Sequence, residues 1–435
     1  MGSGLRSVVV VVVVGSALAG VALAGMALAG VPGVASGAAA SCSDGRLPVT
    51  VEEQRLDDVL APGQPAAGPE LVRLGGLDDE VARFVGRLCS TAPGRAEQVV
   101  ASGGRELWRA AVERARGAPA WDAYDDRPLY WARLQLTRAV RQWAVPLPAG
   151  ERARLVRRLD GAARGIEDVR WRGAGRRVVV TGFDPFQLHG TSVRRSNPAG
   201  AAALRLDGRV IDTPAGRVVV EAAVLPVLWG AFDEGIVERF YGAVLGGGTR
   251  EGADGERGRV GALVTISQGR PGRFDVERWA ARWRGGAPDN DDVGADGPVP
   301  DAAGWPQPAL EFIETSLPVG RMVDAGTGPY PVNYNRSFCE WPVGTPGVGT
   351  PNCRTDEPTP GAAAAVGSGG DYLSNESMYR ANRLRLGLGA TTVPGGHLHT
   401  PVLGQPVDPV ALTDPGFEAE RRRIVDQVVA LVAVV

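Results

Sequence analysis

The residues best suited to chemistry in this 435-residue chain are its three histidines, His189, His397 and His399. Two of them lie in the segment GGHLHT, directly after a β-rich run. A neutral imidazole near the end of a strand is the usual general base of a hydrolase. Alternation along a strand places His397 and His399 on the same side, with Leu398 opposite. On spacing alone, a pair of packed or solvated histidines is the competing interpretation.

Two further residues have side chains of the right kind. Ser374 lies in GGDYLSNESMYR (369–380), a pattern typical of a loop that brings a reactive side chain to the first turn of a helix. The alternative is a simple helix cap, because serine is favoured at that position and the Gly-x-Ser-x-Gly signature of serine hydrolases is missing. Glu277, in RFDVERWA, is by itself an ordinary carboxylate.

Strands that alternate with helices must position these residues. Short apolar runs predict buried strands in RRVVVTGFDPF (176–186) and at 217–227, 261–269, 330–335 and 391–403. Helical patterns lie around 231–244, 308–315, 374–386 and 417–434. This alternation predicts an α/β sheet covered on both faces, with its active site at the carboxyl ends of the strands. Each candidate motif follows a predicted strand.

The first 40 residues differ in character from the rest. Arg6 precedes a long apolar run that ends in the small residues GAAA. This pattern predicts a signal peptide over 1–40 and a secreted, extracellular protein. The alternative is an uncleaved membrane anchor, because the run is long enough to span a bilayer.

The remainder divides into two predicted domains. Residues 43–170 show one apolar stripe per helix, as in Val81, Phe84, Val85 and Leu88, and predict an accessory, mostly helical domain. Residues 176–435 form the predicted α/β domain. Three Gly/Pro/Asp-rich stretches interrupt it as surface loops near 246–259, 285–304 and 337–370.

Composition and cysteine spacing exclude several classes of function. A formal net charge of −2 without a basic stripe argues against a nucleic-acid partner. Four cysteines follow the predicted signal peptide, and in an oxidising compartment the economical pairing is Cys42–Cys89 and Cys339–Cys353. No Cys/His cluster has zinc spacing, so neither a metal nor another cofactor is predicted.

Taken in order, the motifs resemble a known family. TGFDPF, SNPAG, LPV, ISQG with ERWA, PDN, LPVGRMV, GGDYLSN and HLHTPVL follow the series of the pyroglutamyl peptidase I family. These are cysteine exopeptidases that remove N-terminal pyroglutamate. The resemblance covers roughly 176–430, less the three loops. It implies a three-layer α/β/α domain with a mixed, mostly parallel sheet.

The resemblance also implies roles for individual residues. The family's catalytic glutamate, nucleophile and histidine fall on Glu277, Ser374 and His399. The residues of its substrate pocket fall on Phe183, Phe186, Asn197 and Gln268. Three departures stand out: Ser374 replaces the cysteine, the segment between Gln268 and Glu277 is one residue short, and Arg284 is only the nearest match to an arginine before PDN.

These predictions combine into a hypothesis of a secreted, exopeptidase-like hydrolase that acts on peptides with N-terminal pyroglutamate. A serine needs a general base at the moment of attack, and Glu277, His399 and Ser374 supply orienter, base and nucleophile. The alternative is a catalytically silent module of the same fold that binds such peptides. Cys339 is a less favoured nucleophile because Cys353 is close enough in sequence to form a disulfide with it. The resemblance implies an oligomer, but the helical extension would cover the same surface, so the oligomeric state is left open.

Overall fold

The computed structural model describes residues 42–246 and 260–435. The predicted signal peptide (1–40) and nearly all of the predicted loop at 246–259 lie outside these residues. The N-terminal part is helical, and its helices are α1 (Val51–Gln54), α2 (Ala67–Leu74), α3 (Asp78–Cys89), α4 (Ala96–Arg116), α5 (Arg127–Arg141) and α6 (Ala149–Ala162). Within the described residues, no helix has the length and apolar character needed to cross a membrane.

Local sequence explains where these helices begin and what they bury. Thr50 and Glu53 form a capping box that satisfies backbone N–H groups at the start of α1. The apolar stripe predicted for α3 is buried through Phe84 and Leu88. The disulfide predicted between Cys42 and Cys89 is present and ties the first described residue to the end of α3.

A seven-stranded sheet forms the centre of the remaining chain. The strands along the chain are β1 (Arg176–Phe183), β2 (Arg209–Thr213), β3 (Gly216–Leu225), β4 (Val260–Gln268), β5 (Phe274–Glu277), β6 (Trp279–Ala281), β7 (Trp283–Pro288), β8 (Gly294–Pro298), β9 (Phe312–Glu314), β10 (Val332–Asn335), β11 (Phe338–Trp341), β12 (Asn352–Arg354), β13 (Ala363–Val366) and β14 (Gly395–Thr400). The helices among them are α7 (Pro198–Leu206), α8 (Trp229–Asp233), α9 (Ile236–Leu245), α10 (Val319–Asp324), α11 (Leu373–Gly387) and α12 (Pro415–Val434).

The order of strands in this sheet is β10-β5-β14-β4-β1-β3-β2. Neighbours from β14 to β3 run parallel, as do β10 and β5. The β5–β14 pair and the β2–β3 pair are antiparallel. The mixed, mostly parallel sheet predicted from the sequence is therefore confirmed, as is the helical region that precedes it.

Helices cover both faces of this sheet. Val178 and Val180 of β1 face a core that contains α7, α12 and the N-terminal helices, including Trp108. Val179 faces the opposite core, which contains side chains of α9 and α11 such as Phe240. Because β1 is buried on both sides, its sequence is continuously apolar rather than alternating.

Two predicted surface loops contain regular structure of their own. The segment at 285–304 includes the β7–β8 hairpin, and the one at 337–370 contains the small sheet β12-β11-β13 with the predicted Cys339–Cys353 disulfide. The helix expected around 308–315 is wrong: Phe312–Glu314 form β9, which pairs antiparallel with β6. Prolines at 306 and 308 disfavour a helix at the start of the predicted range, because proline lacks the backbone N–H that a helix needs. Pairing with β6 instead gives the backbone of β9 its hydrogen-bond partners.

Candidate active site

A cavity of about 510 Å³ opens where β1, β4 and β14 end. Because these strands are parallel neighbours, their carboxyl ends meet at one edge of the sheet, where ligands of open α/β sheets bind. The cavity is lined by all seven residues singled out from the sequence, namely Phe183, Phe186, Asn197, Gln268, Glu277, Ser374 and His399. The structure thus brings together side chains that lie up to 216 positions apart along the chain.

Glu277 and His399 form a buried carboxylate–imidazole pair. Glu277 is the last residue of β5, where the antiparallel register with β14 pairs it with His397. Its carboxylate reaches the ring of the diagonal neighbour, His399. The Nδ1 atom of His399 lies 2.7 Å from Oε1 of Glu277. With Nδ1 held in this way, Nε2 is the nitrogen left to exchange a proton, and it makes no hydrogen bond to any described residue. This is the arrangement a general base requires.

Asn335 completes this pair, and sequence reasoning missed it. Its side-chain amide donates to Oε2 of Glu277 at 2.7 Å and to the carbonyl of Ser368 at 2.6 Å. Asn335 ends β10 and pairs in register with Glu277 across the β10–β5 ladder. The only signal in the sequence was a polar residue at the end of the predicted strand YPVNYN. Both oxygens of the Glu277 carboxylate therefore have fixed partners.

Two glycines fix the orientation of the His399 ring. A Cβ atom at Gly269 would lie 2.6 Å from ring atom Cγ, and one at Gly369 would lie 3.0 Å from Cε1. Any larger residue at Gly269 would collide with the ring, and one at Gly369 would press tightly against it. The close approach of these two backbones leaves the imidazole little freedom to turn away from Glu277.

Ser374 is the second residue of α11, not its cap. The N-cap is Tyr372, whose side chain makes no capping hydrogen bond. The Ser374 hydroxyl donates to the carbonyl of Gly369 at 3.3 Å, which is long for a bond between two oxygens. No hydrogen bond joins Ser374 to His399, so the two residues share the cavity without being linked. Catalytic hydrogen bonds of ligand-free sites often tighten only when substrate binds.

The start of α11 offers donors and is firmly anchored. Its first intrahelical bond runs from Glu376 N–H to Tyr372, so the three N–H groups before Glu376 have no acceptor among the described residues. Asn375 exchanges two side-chain hydrogen bonds with the backbone of Ala281. Arg284, the arginine noted beside PDN, binds both oxygens of Glu376 at 2.6 Å. Arg284 therefore holds the helix and does not line the cavity.

The aromatic wall is built on the turn after β1. Phe183 is buried and stacks on Phe232 with centroids 6.1 Å apart, while Phe186 is half-buried. Asn197 caps α7 by accepting from Ala199 N–H, and its amide donates to the carbonyl of Asp184 at 2.9 Å. The Asn197 side chain thus serves mainly to connect this turn to α7.

Charge on the cavity wall is mostly positive. Glu277 is the sole carboxylate among the lining residues, which also include Arg195 and Arg270. Arg270 pairs with buried Asp275 at 3.2 Å. Arg195 donates to the side-chain oxygen of Gln187 at 2.6 Å, and no acidic side chain of the described chain lies within ion-pair distance of it. Burial lowers the pKa of Arg195 from its ordinary value.

Residues of the helical region hold the aromatic turn in place. Asp184, which follows Phe183, is buried and accepts from Arg133 at 2.7 Å and from Arg164 at 2.6 Å. Asp126 accepts from the backbone N–H of Asn197 at 2.9 Å. The cavity therefore depends on side chains supplied by the N-terminal part of the chain.

Two family models and one curated protein match this chain. Residues 35–160 match the model described as the PA0049 N-terminal domain, and residues 177–310 and 342–404 match that of the PA0049 C-terminal domain. The curated relative, from Pseudomonas aeruginosa strain PAO1, bears the name "Uncharacterized protein PA0049". It is 31% identical over an alignment 508 positions long, gaps included, which covers 90% of each chain. The seven predicted site residues all lie in the part matched to the C-terminal domain.

Proposed function

Since this chain belongs to the PA0049 family, whose curated relative has a name that assigns no activity, we propose a function from the cavity itself: hydrolysis of the bond that follows an N-terminal pyroglutamate. The observation that carries the proposal is the 2.7 Å contact between His399 and Glu277, in a cavity that also holds Ser374. An imidazole oriented by a carboxylate and placed near a hydroxyl can act as the general base that activates the hydroxyl as a nucleophile in covalent acyl transfer. The resemblance to the pyroglutamyl peptidase I family supplies the substrate class.

The lining of the cavity favours a terminus without a positive charge. A free α-ammonium group would need a carboxylate partner, and the one carboxylate in the lining, Glu277, is already bound by His399 and Asn335. A pyroglutamyl ring has no ammonium group, and its planar lactam suits the space beside Phe183 and Phe186. The Gln268 amide has its oxygen bound to Leu403 N–H and its NH₂ group free to donate to a lactam carbonyl.

In the proposed reaction, His399 Nε2 accepts the Ser374 proton as Oγ attacks the carbonyl carbon of the scissile amide. The resulting oxyanion is stabilised by the N–H groups at the start of α11. The C–N bond then breaks, and His399 returns the proton to the leaving amine. A water molecule, deprotonated by His399, hydrolyses the pyroglutamyl–serine ester. Pyroglutamate leaves, Ser374 regains its proton, and Glu277 stabilises the imidazolium in both halves.

A fluorogenic pyroglutamyl amide tests this proposal. The exported protein with Cys42 retained is expected to release the fluorophore, and the Ser374→Ala variant is expected to lose at least about 1,000-fold in kcat/KM. Ser316→Ala is the matched control, because Ser316 bonds to Gly395 outside the cavity. Prolyl amide, a five-membered ring with a charged nitrogen, is expected to be a poor substrate. Turnover of the pyroglutamyl amide that does not exceed the Ser374→Ala background would overturn the enzyme proposal.

The alternative is a catalytically silent module that binds pyroglutamyl peptides. The observation in its favour is that Ser374 bonds to Gly369 and not to His399. It predicts calorimetric binding of a pyroglutamyl peptide with no product after prolonged incubation. A Ser374→Cys variant separates the two, since a thiol ionises more readily than a hydroxyl. If the Ser374→Cys variant cleaves the substrate and the wild-type protein does not, the pocket has the geometry for catalysis and the Ser374 hydroxyl is the part that is inactive.

Export is also part of the proposal. Two disulfides indicate an oxidising compartment, and the predicted signal peptide accounts for how the chain would reach it. Mass spectrometry of protein recovered outside the cell is expected to show a chain that begins near residue 41. A recovered chain that retains its apolar N-terminal run would indicate anchoring instead.

A further inference from the structure

A second histidine lies beside the first and has no part in the proposed relay. The ring centroids of His397 and His399 are 4.5 Å apart at an interplanar angle of 75°. His397 is fully buried, with Nδ1 2.7 Å from the Thr265 hydroxyl and Nε2 2.8 Å from the Ser267 hydroxyl. Burial and the neighbouring His399 lower the pKa of His397 well below its ordinary value, so this imidazole is neutral.

The donor–acceptor direction of the hydrogen-bond series Thr265–His397–Ser267 depends on where the Thr265 proton lies. The Thr265 hydroxyl has one proton and contacts the carbonyl of Gly396 at 3.3 Å, an oxygen that can only accept. With its proton assigned to this carbonyl, Thr265 accepts from Nδ1–H of His397 at 2.7 Å, and the proposal below rests on this tautomer. A neutral imidazole protonated on Nδ1 has a bare Nε2, which accepts the proton of the Ser267 hydroxyl.

This direction determines what Ser267 offers to the cavity. Ser267 is one of the residues that line the cavity, at the end of β4 and next to Gln268. The Ser267 hydroxyl donates its one proton to His397. Toward the cavity, its oxygen can therefore only accept a hydrogen bond. A buried acceptor of this kind favours a ligand with an N–H group and disfavours one with another lone pair at the same place.

We propose that Ser267 accepts a hydrogen bond from the lactam N–H of the bound pyroglutamyl ring, with His397 and Thr265 as positioning residues. The inference rests on the proposed function and specifies how the cavity distinguishes a lactam from other five-membered rings. Ser267 is then a substrate-binding residue distinct from the nucleophile Ser374 and the base His399.

A ring-oxygen analogue tests the proposal. The 5-oxotetrahydrofuran-2-carbonyl amide has the same ring with oxygen in place of the N–H. The wild-type protein is expected to prefer the pyroglutamyl amide by about 10- to 100-fold, the range for an unpaired buried acceptor. In Ser267→Ala this preference is expected to fall to within about threefold, because the opposing lone pair is gone. Ser267→Thr, which keeps the hydroxyl, is expected to retain it.

Two further variants separate recognition from general damage. Thr265→Val removes the acceptor of His397 without touching the cavity, and it is expected to weaken the preference as well. Ser316→Ala, on the segment beside β14, is expected to leave the preference unchanged. Thermal unfolding identifies any variant that does not fold, and the ratio between two ligands of one protein sample does not depend on the folded fraction.

The outcomes distinguish this inference from the proposed function. If no amide is cleaved, the same preference is measured by calorimetry with pyroglutamyl amide and its ring-oxygen analogue. Equal affinity for the two rings, or a preference that survives Ser267→Ala, overturns the role of Ser267 and leaves the proposed function standing. A protein that neither binds nor cleaves either ring overturns both.

Discussion

Replacing Asn335 by leucine tests whether the Glu277–His399 pair is the working part of this site. Asn335 lies outside the cavity lining and reaches substrate only through Glu277, to which it donates at 2.7 Å. Asn335→Leu keeps a side chain of similar size but removes the amide. One oxygen of a buried carboxylate then has no donor, and the Ser368 carbonyl loses its partner as well.

The size of the effect follows from these contacts. A hydrogen bond to a charged group contributes about 1.5–3 kcal/mol, and a buried group left unpaired costs a similar amount. If this loss falls on the imidazolium-bearing transition state, kcat/KM drops about 10- to 150-fold, at roughly 1.4 kcal/mol per tenfold. The free energy of unfolding is expected to fall by about 2–4 kcal/mol.

The chain provides a matched control two residues away. Asn333, on the same strand, donates to Oδ1 of Asp275 at 2.7 Å, and Asp275 is a buried carboxylate of β5 just as Glu277 is. Asn333→Leu therefore removes the same kind of hydrogen bond outside the cavity, at a residue that is itself exposed. It is expected to lower stability while leaving kcat/KM within about twofold, because Asp275 retains its contacts with Arg270 and Arg273.

The assay compares both variants at a temperature where each is fully folded, with pyroglutamyl amide turnover and urea unfolding measured on the same samples. The reasoning predicts that only Asn335→Leu loses activity. Equal losses in both variants would attribute the effect to general destabilisation. An Asn335→Leu variant that is destabilised yet fully active would show that the Glu277 carboxylate does not need this donor for its function.

Three further predictions concern other parts of the molecule. Replacing Cys339 and Cys353 together by serine is expected to lower the free energy of unfolding by about 3 kcal/mol in a denaturant titration, as the chain-entropy model gives for a 15-residue loop; an unchanged midpoint would contradict this. Arg195→Gln is expected to raise KM several-fold for pyroglutamyl dipeptides with a free carboxylate but not for their amides, because it removes an uncompensated cation from the wall; equal effects on both would refute an electrostatic role. Burial raises the pKa of Glu221 to about 8, so the folded state binds more protons than the unfolded state between about pH 4.5 and 8, and stability falls as pH rises through that window. Glu221→Gln is expected to flatten the dependence of the melting temperature on pH there, and an unaltered slope would exclude this group as its source.

The sequence predicted the residues of the cavity better than their mutual contacts. Glu277 and His399 lie near the ends of β5 and β14, and Ser374 lies at the start of α11. The parallel order of β4 and β14 suffices to bring Ser267 and His399 to the same edge. The role of Asn335 depends on β10 pairing in register with β5, and no local pattern encodes such a pairing. Roles of residues are less predictable than their locations for the same reason.

Asn197 and Arg284 illustrate this difference between location and role. Each lies in a recognisable motif, yet the hydrogen bonds of Asn197 cap α7 and those of Arg284 fix Glu376. A long side chain or an amide can satisfy whichever partner the fold provides. Arg284 binds Glu376, 92 positions away, whereas Asn197 caps the helix that begins directly after it. The predicted helix at 308–315 failed similarly, because pairing with β6 outweighed an apolar spacing that was compatible with a helix.

The ion pairs between Asp184 and the arginines at 133 and 164 affect how this protein can recombine in evolution and how its pocket can be transferred to another scaffold. A gene fragment encoding only the half that carries Ser374 and His399 would remove both guanidinium partners of Asp184, which lie in the other half. Selection would therefore resist recombination between the two halves, in keeping with a relative that matches across nine-tenths of both chains. Anyone who wishes to graft this pocket onto another scaffold must transplant its distant cations as well.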